Sequence, residues 1–134
     1  MPKAIISDTS CFIILTNIGE LALLRRVYGQ IVTTPEIAAE FGELLPEWVE
    51  IAEVKDKYRQ TILELQIDRG ESSAIALALE TPNSTVILDD YKARKIAERL
   101  GITLTGTGIF GGSRNLLRAA NVISFKKTVK RSVR

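Results

Sequence analysis

Residues 4–15 read AIISDTSCFIIL, and the reading of this stretch decides the fold. Residues 3–7 are apolar and β-branched at Ile5 and Ile6, the pattern of a short buried strand. The run stops at Asp8. A carboxylate at the end of a buried strand is costly unless something pairs with it. Asp8 therefore either caps a helix, which Thr9 to Thr16 predicts, or belongs to a site; Thr9 is equally suited to capping.

Downstream the same alternation repeats. Leu21, Leu24 and Val27 recur at helical spacing between Glu20 and Val27, followed by a turn at Tyr28-Gly29 and a second short strand, Gln30 to Thr33. Thr34-Pro35 has the form of a helix start, with Thr34 as cap and Pro35 at the first position. That helix runs to about Phe41 and stops near Gly42. Residues 48–54 read as an edge strand or irregular chain. Lys55 to Gln66 is helical by pattern, with Tyr58, Ile62 and Leu65 on one stripe. Glu71 to Glu80 predicts a helix whose inner face is Ala74, Ile75, Ala78 and Leu79. Thr85 to Leu88 is a strand stopped by Asp89-Asp90, then come a helix from Tyr91 to Leu100 with Gly101 as its stop, a short strand Ile102 to Leu104, and a last helix Phe110 to Ala120. Strands alternating with helices predict a parallel sheet flanked by helices, an α/β fold.

The bulk composition narrows the chemistry. At 134 residues the chain fits one domain, and 46% hydrophobic with 25% charged residues is ordinary for a globular protein. No apolar run reaches the length of a membrane span, and the N-terminal residues predict no secretory signal. Cys11 is the one cysteine, which rules out an intrachain disulfide and fits a reducing cytosol. Histidine is absent, which excludes Ser-His-Asp and Cys-His catalysis and every histidine-based metal site. The net charge of +2 is uneven. Arg114, Arg118, Lys126, Lys127, Lys130, Arg131 and Arg134 follow residue 113 with no acid among them, leaving a net of −5 before it. A basic end beside an acidic body suits contact with nucleic acid, against the plainer reading of a solvated terminus.

The acids fall in suggestive places. In an open parallel sheet, ligands bind beyond the carboxyl ends of the strands. Asp8 ends the first strand, and Asp89 and Asp90 end the Thr85–Leu88 strand. Glu40 lies in the helix after the second strand, and Glu71 opens the helix after Gly70. If the first strand neighbours the Thr85–Leu88 strand, four or five carboxylates converge on one edge. Such a cluster is tenable when a cation neutralises it or when some of its acids stay protonated. Oxygen ligands without histidine or cysteine suit Mg2+, Mn2+ or Ca2+. Mg2+ or Mn2+ can polarise a phosphate and activate water for in-line attack. Each acid also has a plain structural reading. Glu36, Glu40 and Glu43 could form a solvated helix face, and Glu71 sits where a helix dipole favours any acid. Capping needs only one of Asp89 and Asp90, so the second asks for a use. Ser10 could hydrogen-bond a ligand, whereas Cys11 and Trp48 read as core and packing residues.

Gly106-Thr107-Gly108-Ile109-Phe110-Gly111 fits G-x-G-x-x-G. A dinucleotide site would need a further strand and an acid about 20 residues on, and only basic residues follow. These glycines read as a tight turn. No P-loop is present.

The ordered segments IISDTSCFIILTNIGELALLRRVYG, IVTTPEIAAEF, DRGESSAIALALE, VILDDYKARKIAERLGITLTGTGIFG and LLRAANVI resemble the PIN-domain superfamily, and within it a branch of short VapC-like toxin ribonucleases. The resemblance covers most of the chain and implies a three-layer α/β/α sandwich with a four- or five-stranded parallel sheet, over residues 1–122, with a basic tail at 123–134. It implies an acidic pocket binding Mg2+ or Mn2+. Its catalytic acids fall on Asp8, Glu40, Glu71 and Asp90, with Asp8, Asp89, Asp90 and Glu71 as metal ligands. Ser10 matches the family's small hydroxyl near the first acid, and Ser10, Arg114 and Arg118 are the candidate RNA contacts. Two departures stand out: Glu71 replaces the superfamily's usual Asp, and the chain after Val122 is short and basic where a further apolar helical segment is expected. The expected activity is a metal-dependent endoribonuclease, the cytoplasmic toxin of a toxin–antitoxin pair, with RNA, a second copy of the chain and a small antitoxin as partners. The alternative is a PIN-like module that binds nucleic acid or protein without catalysis. A phosphoacceptor domain like bacterial receivers fits poorly, because Asp8 has no neighbouring acid.

Overall fold

The computed structural model describes residues 4–106. Their elements run β1 (Ala4–Ser7), α1 (Thr9–Asn17), α2 (Ala22–Tyr28), β2 (Ile31–Thr33), α3 (Pro35–Phe41), β3 (Val49–Ile51), α4 (Lys57–Leu63), α5 (Arg69–Glu80), β4 (Ser84–Ile87), α6 (Tyr91–Arg99) and β5 (Thr103–Thr105). The five strands form one sheet in the order β3-β2-β1-β4-β5, and every pairing is parallel. Strands this short, three or four residues each, hold together because both faces are covered by helices. The architecture is therefore the three-layer α/β/α sandwich, and its sheet takes the five-stranded form. The segment that could have been irregular resolves as β3, an edge strand.

Strand β1 is central. It pairs with β2 on one side (Ile5 with Ile31) and β4 on the other (Ile6 with Val86). The chain first winds outward from β1 through β2 to β3, then returns to the other side for β4 and β5. The order reverses between β1 and β4, and in open parallel sheets the crevice beyond the strand ends at such a point is the usual ligand site. Asp8 and Asp89 follow those two strands.

The core is aliphatic, with Ile6, Ile31, Ile75, Val86, Ile87 and Leu88 fully enclosed. Phe12 is also enclosed and its ring lies 5.7 Å from that of Phe41, tilted by 45°, which ties α1 to the end of α3. Helix α5 is buried from Ser72 through Ala78, on more than the one face that its spacing predicted. It packs against α3, α4, α6, β1 and β4 at once, and its alanines and serines are the side chains small enough for that position.

Thr34 fixes the start of α3 as the sequence predicts. Its hydroxyl oxygen accepts from the Ile37 N–H at 3.1 Å and shares a 2.7 Å hydrogen bond with Ser73 Oγ of α5. Both hydroxyls are buried. Thr34→Val keeps the volume and loses both bonds, so urea unfolding is expected to show a loss of about 2 kcal/mol. Gly42 ends α3 in the left-handed conformation, φ 75°, where glycine alone is unstrained.

Several sequence readings are corrected. Tyr58, Ile62 and Leu65 are exposed; the α4 side of the fold meets the core through Leu63 and buries Gln60 instead. In α2, Leu23 and Leu24 point inward while Val27 is exposed. Glu43 lies past the end of α3 and shares no helix face with Glu40. Helix α5 begins at Arg69, two residues before the expected start, because Asp68 caps it. The helix expected over 110–120, the end of the domain at residue 122 and the basic tail lie outside the described residues.

Candidate active site

Every helix that follows a parallel strand begins at the carboxyl edge of the sheet, and this chain places acids at those beginnings. Asp8 is the N-cap of α1. Its Oδ1 accepts from the Cys11 N–H at 2.9 Å, and the side chain is only 6% exposed. Capping and burial thus coincide in one residue. Burial pushes the Asp8 carboxyl up to about 7 from an ordinary 3.8. The Asp89 charge pushes the same way, against the backbone N–H groups of Cys11 and Asp89, which favour the ionised form.

Asp90 caps α6, with Oδ2 accepting from the Ala93 N–H at 2.9 Å. The pair left after β4 therefore divides its labour: Asp90 holds the helix, and Asp89 is the member whose charge reaches Asp8. The surroundings of Asp89 are built by Gly106 and Arg94. Arg94 Nη1 donates to the Leu88 carbonyl at 2.6 Å and the Thr105 carbonyl at 3.0 Å, tying the ends of β4 and β5 together. A Cβ on Gly106 would stand 3.1 Å from Asp89 Oδ1 and 3.2 Å from Arg94 Nη1. The first glycine of the G-x-G-x-x-G string thus leaves room for a carboxylate; the other glycines of that string lie outside the described residues. Arg94→Met withdraws donors from both carbonyls, and chemical denaturation is expected to show a loss of about 1–3 kcal/mol.

Glu71 stands in the first turn of α5. Partial burial raises its carboxyl to about 7, and the charges of Asp68 and Asp90 add to the effect. Asp68 was not among the residues read as a site from sequence. Its Oδ1 accepts from the Glu71 N–H at 2.8 Å, and the signal was present in Asp68-Arg69-Gly70-Glu71, a capping residue followed three positions later by Glu. The structure thus sets Asp8 with Asp89, and Glu71 with Asp68 and Asp90.

Glu40 sits in the last turn of α3. Its Oε1 accepts from the Thr9 hydroxyl, and the carboxylate lies against the backbone of Gly70. It is thereby drawn toward the starts of both α1 and α5. Glu36, one turn earlier, is committed elsewhere. Burial works to raise its carboxyl, but the Gln60 amide, which donates to Oε2 at 2.7 Å, and the Lys57 ammonium at 3.7 Å hold it below the usual range.

Ser10 is exposed in the first turn of α1. Cys11 is buried, and burial pushes its thiol far up, so it is a core residue as expected. Trp48 packs against the core from beside β3. Arg114 and Arg118 lie outside the described residues.

The donors are carboxylates alone, the chemistry of a hard cation, and a cation would offset the burial and the like-charge repulsion that hold Asp8 and Glu71 up. In type and in shared edge these residues fit Mg2+ or Mn2+. Among the described residues, no three of them stand close enough together to enclose an ion. No helix among the described residues is long and apolar enough to cross a membrane.

Among curated proteins, none matches the chain. A family model described as a PIN domain matches residues 4–110, which spans the whole described sheet together with every acid discussed above. With an all-parallel sheet in the order β3-β2-β1-β4-β5 and acids at its carboxyl edge, the chain belongs to the PIN-domain family.

Proposed function

We propose that the protein is a metal-dependent endoribonuclease that hydrolyses RNA phosphodiester bonds. PIN domains are generally nucleases and typically use divalent metals. The observation that carries the proposal is Asp8, a buried carboxylate at the strand-order reversal whose neighbour across the crevice is a second carboxylate, Asp89. Capping α1 needs an acceptor at position 8 but not a buried charge beside another acid; a cation-binding site needs both charges.

In this reading Asp8, Asp89, Asp90 and Glu71 hold Mg2+ or Mn2+, and Glu40 completes the acidic edge. A bound cation supplies Lewis-acid stabilisation of the charge that develops on a phosphodiester. The chain's own part is to hold the carboxylates. Asp8 and Asp90 are each fixed by a backbone N–H, and β1 and β4 set them on adjacent strand ends. Ser10, Arg114 and Arg118 are proposed as RNA contacts. The resemblance to VapC-like ribonucleases supports the further reading that the protein is the cytoplasmic toxin of a toxin–antitoxin pair, acting as a homodimer and inhibited by a small antitoxin.

The test is Mn2+ calorimetry with cleavage of single-stranded RNA, in wild type and Asp90→Asn. Asparagine still caps α6, so folding is spared. Cleavage by wild type and its loss in the variant support the reading; unchanged cleavage in Asp90→Asn removes Asp90 from the site. The separation of the acids into two groups favours a second reading, a module that binds nucleic acid without cutting it. RNA binding that persists without any metal-dependent turnover would select that module.

A further inference from the structure

Helix α5 carries a glycine, Gly70, in its first turn, where its backbone is ordinary helix that any residue adopts. Glycine is a poor choice there, since alanine favours a helix over glycine. The local backbone gives no reason for it; the neighbour does. A Cβ at position 70 would lie 2.7 Å from Glu40 Oε1 and 3.3 Å from both Cδ and Oε2. The space a side chain would take is filled by the end of Glu40. The same Oε1 accepts the Thr9 hydroxyl bond from α1. Helix α3 packs against both α1 and α5, so the carboxylate is held between them.

We propose that Thr9 and Gly70 are positioning residues for Glu40: Thr9 holds its Oε1 by a hydrogen bond, and Gly70 leaves the notch in which the carboxylate rests. This rests on the reading of Glu40 as part of a cation-binding edge. Without either residue the Glu40 side chain, which is otherwise exposed on α3, swings into solvent and away from the starts of α1 and α5. Thr9 thus has a use besides the capping that its place in the sequence suggests, and Asp8 does the capping.

The device makes fold and site respond in opposite directions. A methyl group at position 70 meets only the far end of a flexible side chain, which can move aside, so Gly70→Ala is expected to melt at or up to roughly 2–4 °C above wild type. Its Mn2+ dissociation constant is expected to rise about tenfold or more, the usual effect of disturbing an outer-shell group of a metal site. Glu40→Ala is expected to weaken Mn2+ to the same extent, and Gly70→Ala to add nothing further in that background. Thr9→Val is expected to weaken Mn2+ as well, and Thr9→Ser to restore it.

A second measurement needs no metal. Urea unfolding of wild type, Gly70→Ala, Glu40→Ala and the double variant forms a thermodynamic cycle. Gly70→Ala is expected to stabilise the Glu40→Ala chain more than wild type, because only wild type must eject a carboxylate. An equal gain in both backgrounds overturns the notch, and so does a Gly70→Ala protein that binds Mn2+ as tightly as wild type. If wild type binds no Mn2+ at all, the nuclease reading fails, and the cycle, repeated with Thr9→Val in place of Gly70→Ala and there expected to show the Thr9–Glu40 bond as a coupling, decides whether Thr9 and Gly70 place Glu40.

Discussion

Asp8→Asn is expected to abolish metal-dependent RNA cleavage, by about 10²–10³-fold or more, and at pH 8 without metal to melt at a higher temperature than wild type. The two halves follow from one residue with two duties. Asparagine caps a helix as well as aspartate does, so its oxygen can still accept the Cys11 N–H that Asp8 accepts at 2.9 Å. What it cannot supply is the negative charge, which in wild type is enclosed and faces Asp89. Removing that charge relieves the fold and takes from the proposed cation site its most deeply buried carboxylate. Asp8→Ala is a poorer test, since it also removes the cap, at about 1 kcal/mol. Circular dichroism melts and a cleavage assay with Mn2+ on the same preparations decide the matter. Normal cleavage by Asp8→Asn would reduce Asp8 to a helix cap.

Metal-free wild type is expected to lose stability as pH rises from about 4 to about 7, and Mn2+ is expected to restore it at the alkaline end. Asp8 titrates near 3.8 when unfolded and near 7 when folded. Within that window the folded chain keeps a proton that the unfolded chain has released, so each step up in pH favours unfolding. The loss is complete above about 7. It amounts to a few kcal/mol, at roughly 1.4 kcal/mol for each tenfold difference in proton affinity. Glu71, also raised to about 7, contributes in the same direction, and less, because it is half open to water. Urea unfolding at pH 5 and pH 8, with and without Mn2+, measures the slope. Asp8→Asn should flatten most of it. A wild-type stability that is level from pH 5 to 8 would mean that the Asp8 charge is already compensated within the protein.

The sheet was legible because its strands are short apolar runs ended by polar residues. Ala4 to Asp8 and Thr85 to Asp90 announce both a strand and its carboxyl end, and they are neighbours. The sites of Asp8, Glu40, Glu71 and Asp89-Asp90 along one edge follow from that alternation. Position in three dimensions was harder. Helical spacing puts Tyr58, Ile62 and Leu65 on one stripe but carries no information about which face meets the protein; all three are exposed, and Leu65 lies past the end of α4. Asp68 is less legible, because a helix opened by Glu71 after Gly70 hides the cap, whereas Gly70 lies inside α5 and Asp68 caps it. The division of the acids into an Asp8 pair and a Glu71 group depends on contacts between segments far apart in the chain, which local pattern does not contain.

The pairing of β1 with β4 also governs when the acidic edge can assemble. Each residue of β1 pairs with the residue 80 positions later, Ala4 with Ser84 through Ser7 with Ile87. On the ribosome, at about 5–20 residues per second, β1 must wait several seconds for that partner to be made. Closing so long a loop is also the slow, non-local kind of step in folding. Asp8 is synthesised about 80 residues before Asp89 and Asp90, and they can reach it only once β4 has been made. A growing chain therefore carries no assembled acidic edge until β4 and the residues after it have emerged.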